Sequence, residues 1–223
     1  MLKIGHRGAP HVAPANTLKS FEAAHRLGCD WAECDCRISS DGVVVLAHDP
    51  VIVARDGSRH TVAECRADAL ASLDLGADEG VPSLAELAEW CAGRMGLFAD
   101  VKVGGCEAAI LEALRPLPND RIIVCGADAA GRREFRRLAP ELRLSITVDA
   151  RHEAELVSRW AQIDTHAVTF EHPLITAARL ADLHGRGVRV FAWTVDELDR
   201  MRALAQMGVD GIITNRPDLF DRL

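Results

Sequence analysis

Eight short β-rich apolar runs, separated by longer amphipathic stretches, leave few folds open to this chain. The runs are 2–5 (LKIG), 31–36 (WAECDC), 97–102 (LFADVK), 121–125 (RIIVC), 143–148 (RLSITV), 167–171 (AVTFE), 188–194 (VRVFAWT) and 211–214 (GIIT). Helical patterns occupy 16–27, 83–92, 106–115, 131–139, 152–160, 174–186 and 196–207, with Asn16, Ser83 and Asp196 as candidate N-caps. Gly28, Gly187 and Gly208 stand where helices of that length should stop. Repeated strand–helix units build a parallel sheet, and eight of them in 223 residues predict an α/β fold closed as a (β/α)8 TIM barrel. An open doubly wound sheet is the alternative, weakened by the lack of G-x-G-x-x-G after the first strand and of a Walker sequence.

One interval interrupts the alternation. Asp41-Gly42 between β-rich flanks predicts a two-residue hairpin, in which Ser40 pairs with Val43 and, counting back, Asp35 lies opposite His48. Residues 49–82 carry no clear barrel strand. The expectation is one domain over 1–223, with a small insertion (hairpin plus loop) at about 37–82, after the second strand.

Composition narrows function more than fold. At 48% apolar and 26% charged residues the chain is globular, and it contains no apolar run long enough to cross a bilayer. Its start, Met1-Leu2-Lys3-Ile4-Gly5-His6, lacks the apolar stretch of a signal peptide, which leads to a cytoplasmic expectation. Thirty-three acidic against 26 basic residues give a net charge of −7, which argues against nucleic acid as a partner and against stable membrane association. Seven cysteines, an odd number without an export signal, read as reduced, buried small hydrophobes, and their spacing fits no structural zinc site.

In a barrel the strand C-termini build the one open face. Those ends carry His6 and Arg7; Glu33 and Asp35; Asp100 and Lys102; Glu171 and His172; Trp193; Thr214 and Asn215. Alternation puts Glu33 and Asp35 on one face and Cys34 and Cys36 on the other. Three carboxylates, Glu33, Asp35 and Asp100, converging at one mouth suit a hard divalent cation, Mg²⁺ or Ca²⁺. The plainer alternative is a structural ion network of Glu33 and Asp35 with Arg7 and Lys102. His6 and His48 reach the same end from different segments, and paired imidazoles near a metal and cations can take one proton and give another, as phosphodiester cleavage requires. Arg7 and Lys102 are candidate phosphate ligands, Trp193 either an apolar plate for the substrate or a core residue, and His172 either a pocket residue or a strand cap. His11, His25, His60, His152, His166 and His184 read as surface residues.

These segments resemble a known family. His6-Arg7-Gly8, Pro14-Ala15-Asn16-Thr17, Glu33-Cys34-Asp35, Asp41-Gly42 through His48-Asp49, Val81-Pro82-Ser83-Leu84, Asp100-Val101-Lys102, Ala192-Trp193-Thr194-Val195 and Gly208 to Thr214 look like the glycerophosphodiester phosphodiesterases, over nearly the whole chain. The resemblance implies a barrel enzyme that uses a divalent cation to hydrolyse small glycerophosphodiesters to glycerol 3-phosphate and an alcohol. It further implies that the glycerol 2-hydroxyl attacks phosphorus first, that water then opens a cyclic phosphate, that His6 and His48 share the acid and base roles, and that Glu33, Asp35 and Asp100 hold the metal. Four departures stand out: Ala15 and Asp100 where the family usually has Glu, Val124-Cys125-Gly126 for Ser-Ser-Phe, and Asn215 for Asp. They leave two alternatives open, a catalytically weak barrel that binds phosphorylated ligands and a phosphodiesterase acting on a different, lipid-like substrate. The alcohol, the metal and the oligomeric state are not fixed by these residues.

Overall fold

All eight runs form strands, and the strands close on one another. The computed structural model describes residues 1–126, 128–151, 153 and 165–223. Parallel pairing runs β1 (Leu2–His6), β2 (Trp31–Ile38), β6 (Gly96–Val101), β7 (Ile122–Cys125), β8 (Arg143–Val148), β9 (Ala167–Glu171), β10 (Arg189–Trp193) and β11 (Gly211–Thr214), and back to β1. This is the predicted (β/α)8 barrel. Helices Leu18–Arg26, Leu84–Cys91, Glu107–Ala113, Ala129–Leu138, Ala177–Gly185 and Leu198–Met207 lie between strands as predicted. The predicted helical stretch 152–160, His152 included, lies outside the described residues apart from residue 153. Among the described residues no helix is long and apolar enough to cross a membrane.

Two of the three candidate caps act elsewhere. Ser83 caps its helix in a reciprocal box with Glu86. Asn16, however, sits at φ +61° and turns its amide to Asp35, leaving Thr17 to accept from Ser20 N. Asp196 likewise gives its carboxylate to Thr214 and Asn215. Both residues look like caps in sequence because short polar side chains serve helix ends and buried carboxylates equally well.

Side-chain alternation divides the strands between two cores. Cys34, Cys36, Leu97, Val124 and Val168 face the helices, whereas Ile4, Trp31, Phe98, Ile123, Ala167, Phe191 and Ile213 fill the barrel. Trp31, Phe98 and Phe191 stack edge-on with ring centroids 5.6 and 4.9 Å apart. Gly96 makes room for this plug, since a Cβ there would lie 2.4 Å from the Trp31 ring. The plug seals the barrel, so side chains two residues further along each strand form the floor of the open end.

The interruption after β2 is a hairpin with a one-residue difference in register. Cys36, Arg37 and Ile38 pair with Leu46, Val45 and Val44 of β3 (Val44–Leu46), so the loop holds three residues, Ser40-Asp41-Gly42, and Asp35 faces Ala47 rather than His48. The cause is Gly42 at φ +82°, the left-handed position that closes a three-residue loop. Ser39 and Ala67 both donate to the Asp41 carboxylate, fixing that shape. Residues 49–82 add no barrel strand. They form a separate hairpin, β4 (Val51–Val53) and β5 (Arg59–Thr61), and a small core of Val45, Ala47, Val62, Leu70 and Val81.

Candidate active site

Stepping two residues beyond the plug converts apolar positions into polar ones: Ile4 to His6, Trp31 to Glu33, Phe98 to Asp100, Ala167 to Thr169. With Arg7, His48, Lys102, Cys125, Thr147, Trp193 and Ile213 these residues line one cavity of about 140 Å³ at the strand C-termini. Seven of the residues singled out from sequence thus meet there. Asp35, fully buried, joins them through ion pairs with Arg7 Nε (2.9 Å) and Lys102 Nζ (2.9 Å). His172 does not line this cavity: its Nδ1 accepts from Arg200 at 3.2 Å, an engagement no sequence pattern announced.

The acids meet as expected from their registers, in which Asp35 pairs directly with Asp100. Glu33, Asp35 and Asp100 each offer an oxygen within 4.8 Å of the others. Burial would raise Asp35, but Lys102, Arg7 and the Asn16 amide outweigh it and hold the carboxyl below its ordinary range. Burial, together with repulsion from the neighbouring acids, pushes Glu33 up, and burial pushes Asp100 up despite Lys102 at 2.6 Å. Glu33 is 4% exposed, accepts the Arg7 backbone N–H, and among the described residues has only His6, at 3.8 Å, within ion-pair distance. The ion network weighed against a metal site is therefore present, yet Lys102 and Arg7 only partly offset what burial and the neighbouring acids impose on Glu33. A buried acid short of positive charge, set among hard oxygen donors, fits a divalent cation.

Asp100 leans over Gly126, where a Cβ would lie 1.8 Å from its Oδ1. The short acid and the glycine are two departures from the family pattern, and they are neighbours in space.

The histidines are held differently. His6 Nδ1 is 2.7 Å from Asn215 Oδ1, and Asn215 Nδ2 donates to Asp196 Oδ2 at 2.8 Å. Asp196 thereby fixes the amide so that Asn215 accepts, His6 carries its proton on Nδ1, and Nε2 keeps its lone pair. Burial and the adjacent Arg7 push His6 down to about 4, so it is neutral at physiological pH. His48 is exposed, with Nδ1 2.8 Å from Asp49 Oδ1. Trp193 donates its indole N–H to the Thr169 carbonyl, which holds the ring at the cavity wall. Asn16, Cys125, Thr147, Thr169 and Asp196 escaped the sequence reading as site residues; for the strand residues, position at a C-terminal end and inward parity were the available signal. Of the remaining histidines, His11, His25, His166 and His184 are exposed and His60 is half-buried. The cysteines are free, and six of the seven are buried.

Comparison with known proteins gives a consistent picture. The family model described as Glycerophosphoryl diester phosphodiesterase family matches residues 6–219. A glycerophosphodiester phosphodiesterase of Caldanaerobacter subterraneus is 27% identical, over 100% of this chain and 97% of that protein. A crystal structure from Silicibacter pomeroyi is similar with TM-score 0.91 at 26% identity, covering 100% of this chain and 92% of that one. The fold is also that of a phosphodiesterase of Oleispira antarctica solved with the product sn-glycerol-3-phosphate, at TM-score 0.89, 24% identity and coverage of 100% and 96%.

Proposed function

This chain belongs to the glycerophosphoryl diester phosphodiesterase family and is a phosphodiesterase, and from that premise we infer that it hydrolyses small glycerophosphodiesters to glycerol 3-phosphate and an alcohol by two-histidine acid–base catalysis. The observation that carries the reading is the convergence of His6, His48, Arg7 and Lys102 with the acids on one cavity. Arg7 and Lys102 bind the phosphate oxygens. His6, neutral and with a free Nε2, takes the proton of the attacking hydroxyl. His48, backed by Asp49, gives a proton to the departing alcohol oxygen as the P–O bond breaks. Water then opens the resulting cyclic phosphate to glycerol 3-phosphate, His48 taking the water's proton and His6 returning one to the glycerol 2-oxygen. Glu33, Asp35 and Asp100 would hold Mg²⁺ or Ca²⁺, whose charge, when bound, stabilises the negative charge that develops on the phosphate oxygens. Trp193 supplies an apolar wall for the glycerol.

The test is product identification. Glycerophosphocholine or glycerophosphoethanol incubated with the protein and Mg²⁺ or Ca²⁺ should yield glycerol 3-phosphate, and chelator should abolish the release. No release under any metal condition would support a barrel that only binds phosphorylated ligands.

A further inference from the structure

A second concavity opens from the first. A groove of about 270 Å³ runs between the barrel mouth and the β4–β5 hairpin, and Arg7 and His48 line both spaces. Beyond those two residues, and apart from Asn16 and Asp49, the rest of its wall is aliphatic and includes Ala15, Val51, Ile52, Val53 and Leu75. Val53 is 54% exposed. The groove's acid, Asp49, is paired with His48, and Asn16 spends its amide on Asp35. The Asp49 carboxylate is 74% exposed, where solvent screens it, so the aliphatic walls set the groove's character.

The opposite end of the cavity is polar. Thr147 Oγ1 is buried on that wall and has no hydrogen-bond partner among the described residues. Such a hydroxyl is satisfied by a polar partner in the cavity, a role that a hydroxyl of the ligand can fill. A glycerophosphodiester has one such end, the glycerol with its free hydroxyls. Glycerol against Thr147 and phosphate between Arg7 and Lys102 leave the alcohol one direction, past His48 into the aliphatic groove. Resting on the phosphodiesterase reading above, we propose that this groove is the leaving-alcohol subsite and that it selects glycerophosphodiesters whose alcohol is apolar over those whose alcohol bears a cation.

Glycerophospho-n-propanol and glycerophosphoethanolamine differ chiefly by a methyl group in place of an ammonium, and so separate charge from size. The expected kcat/KM favours the propyl ester by about tenfold or more, the scale of desolvating one charged group against burying one more carbon. Ala15→Glu should narrow or invert that ratio by placing a carboxylate on the groove wall. Val53→Asp, at an exposed position on the facing hairpin, should do the same if Ala15→Glu fails to fold. Equal turnover of the two esters by the unmodified enzyme, or variants that change both rates alike, would overturn the proposal. If neither ester is turned over, the phosphodiesterase reading fails, and calorimetry decides the groove on its own. n-Propyl phosphate should then bind about tenfold tighter than 2-aminoethyl phosphate, and equal affinities would overturn it.

Discussion

His6 shows how one side chain's neighbours set its chemistry. It serves as a base only when neutral, and with its pKa held at about 4 it is neutral across the physiological range. The acid limb of kcat/KM should therefore lie near pH 4, with no loss between pH 6 and 7 from this group. Asn215→Asp would set a carboxylate against Nδ1, favour the imidazolium and move that limb upward by about one pH unit or more. A pH–rate profile of the two proteins checks this, and coincident limbs would remove Asn215 from the control of His6. Asp100 depends on a neighbour in another way, because its carboxylate fills the space above Gly126. Gly126→Ala should displace it and weaken Mg²⁺ or Ca²⁺ binding by about tenfold or more in a calorimetric titration, the size seen when support for a metal ligand is lost. Unchanged affinity would mean that Asp100 does not hold the ion. Much of this site was legible in sequence, since strand-end position and parity suffice to bring Glu33, Asp35 and Asp100 together. The engagement of His172 with Arg200, and of Asn16 with Asp35, was not, because each depends on a partner 19 or more positions away.

At the level of the element, the β2–β3 hairpin carries a lesson about register. Asp-Gly is compatible with a two-residue and a three-residue loop alike, and what decides is where the left-handed glycine falls and what its neighbours bind. Here Ser39 pairs with Val43, and the Asp41 carboxylate is tied to both Ser39 and Ala67, contacts that need the folded insertion. The one-residue difference puts Ala47 opposite Asp35 and leaves His48 beyond the paired segment, free to line the mouth. Gly42→Ala at φ +82° should cost about 1 kcal/mol. Urea unfolding would show this as a lower midpoint with an unchanged slope. An unaltered midpoint would mean the loop relaxes without using the left-handed glycine.

At the scale of the whole molecule, periodicity carried the architecture: strands of period two, helices between them and glycine stops were enough to predict closure, because eight such units have little other way to bury both faces of a parallel sheet. Closure is what unites a histidine at the end of β1 with one 42 positions later, beyond β3, and with acids from β2 and β6, over a floor sealed by Trp31, Phe98 and Phe191. The insertion then adds the outer wall that a bare barrel lacks. The most direct test of this arrangement is the rate of glycerol 3-phosphate release by His6→Ala and His48→Ala beside the unmodified enzyme, at saturating divalent cation and with folding checked by circular dichroism. Each variant should lose about 100-fold or more in kcat while keeping the native spectrum; near-normal turnover by either one would contradict a reaction run by this pair of imidazoles.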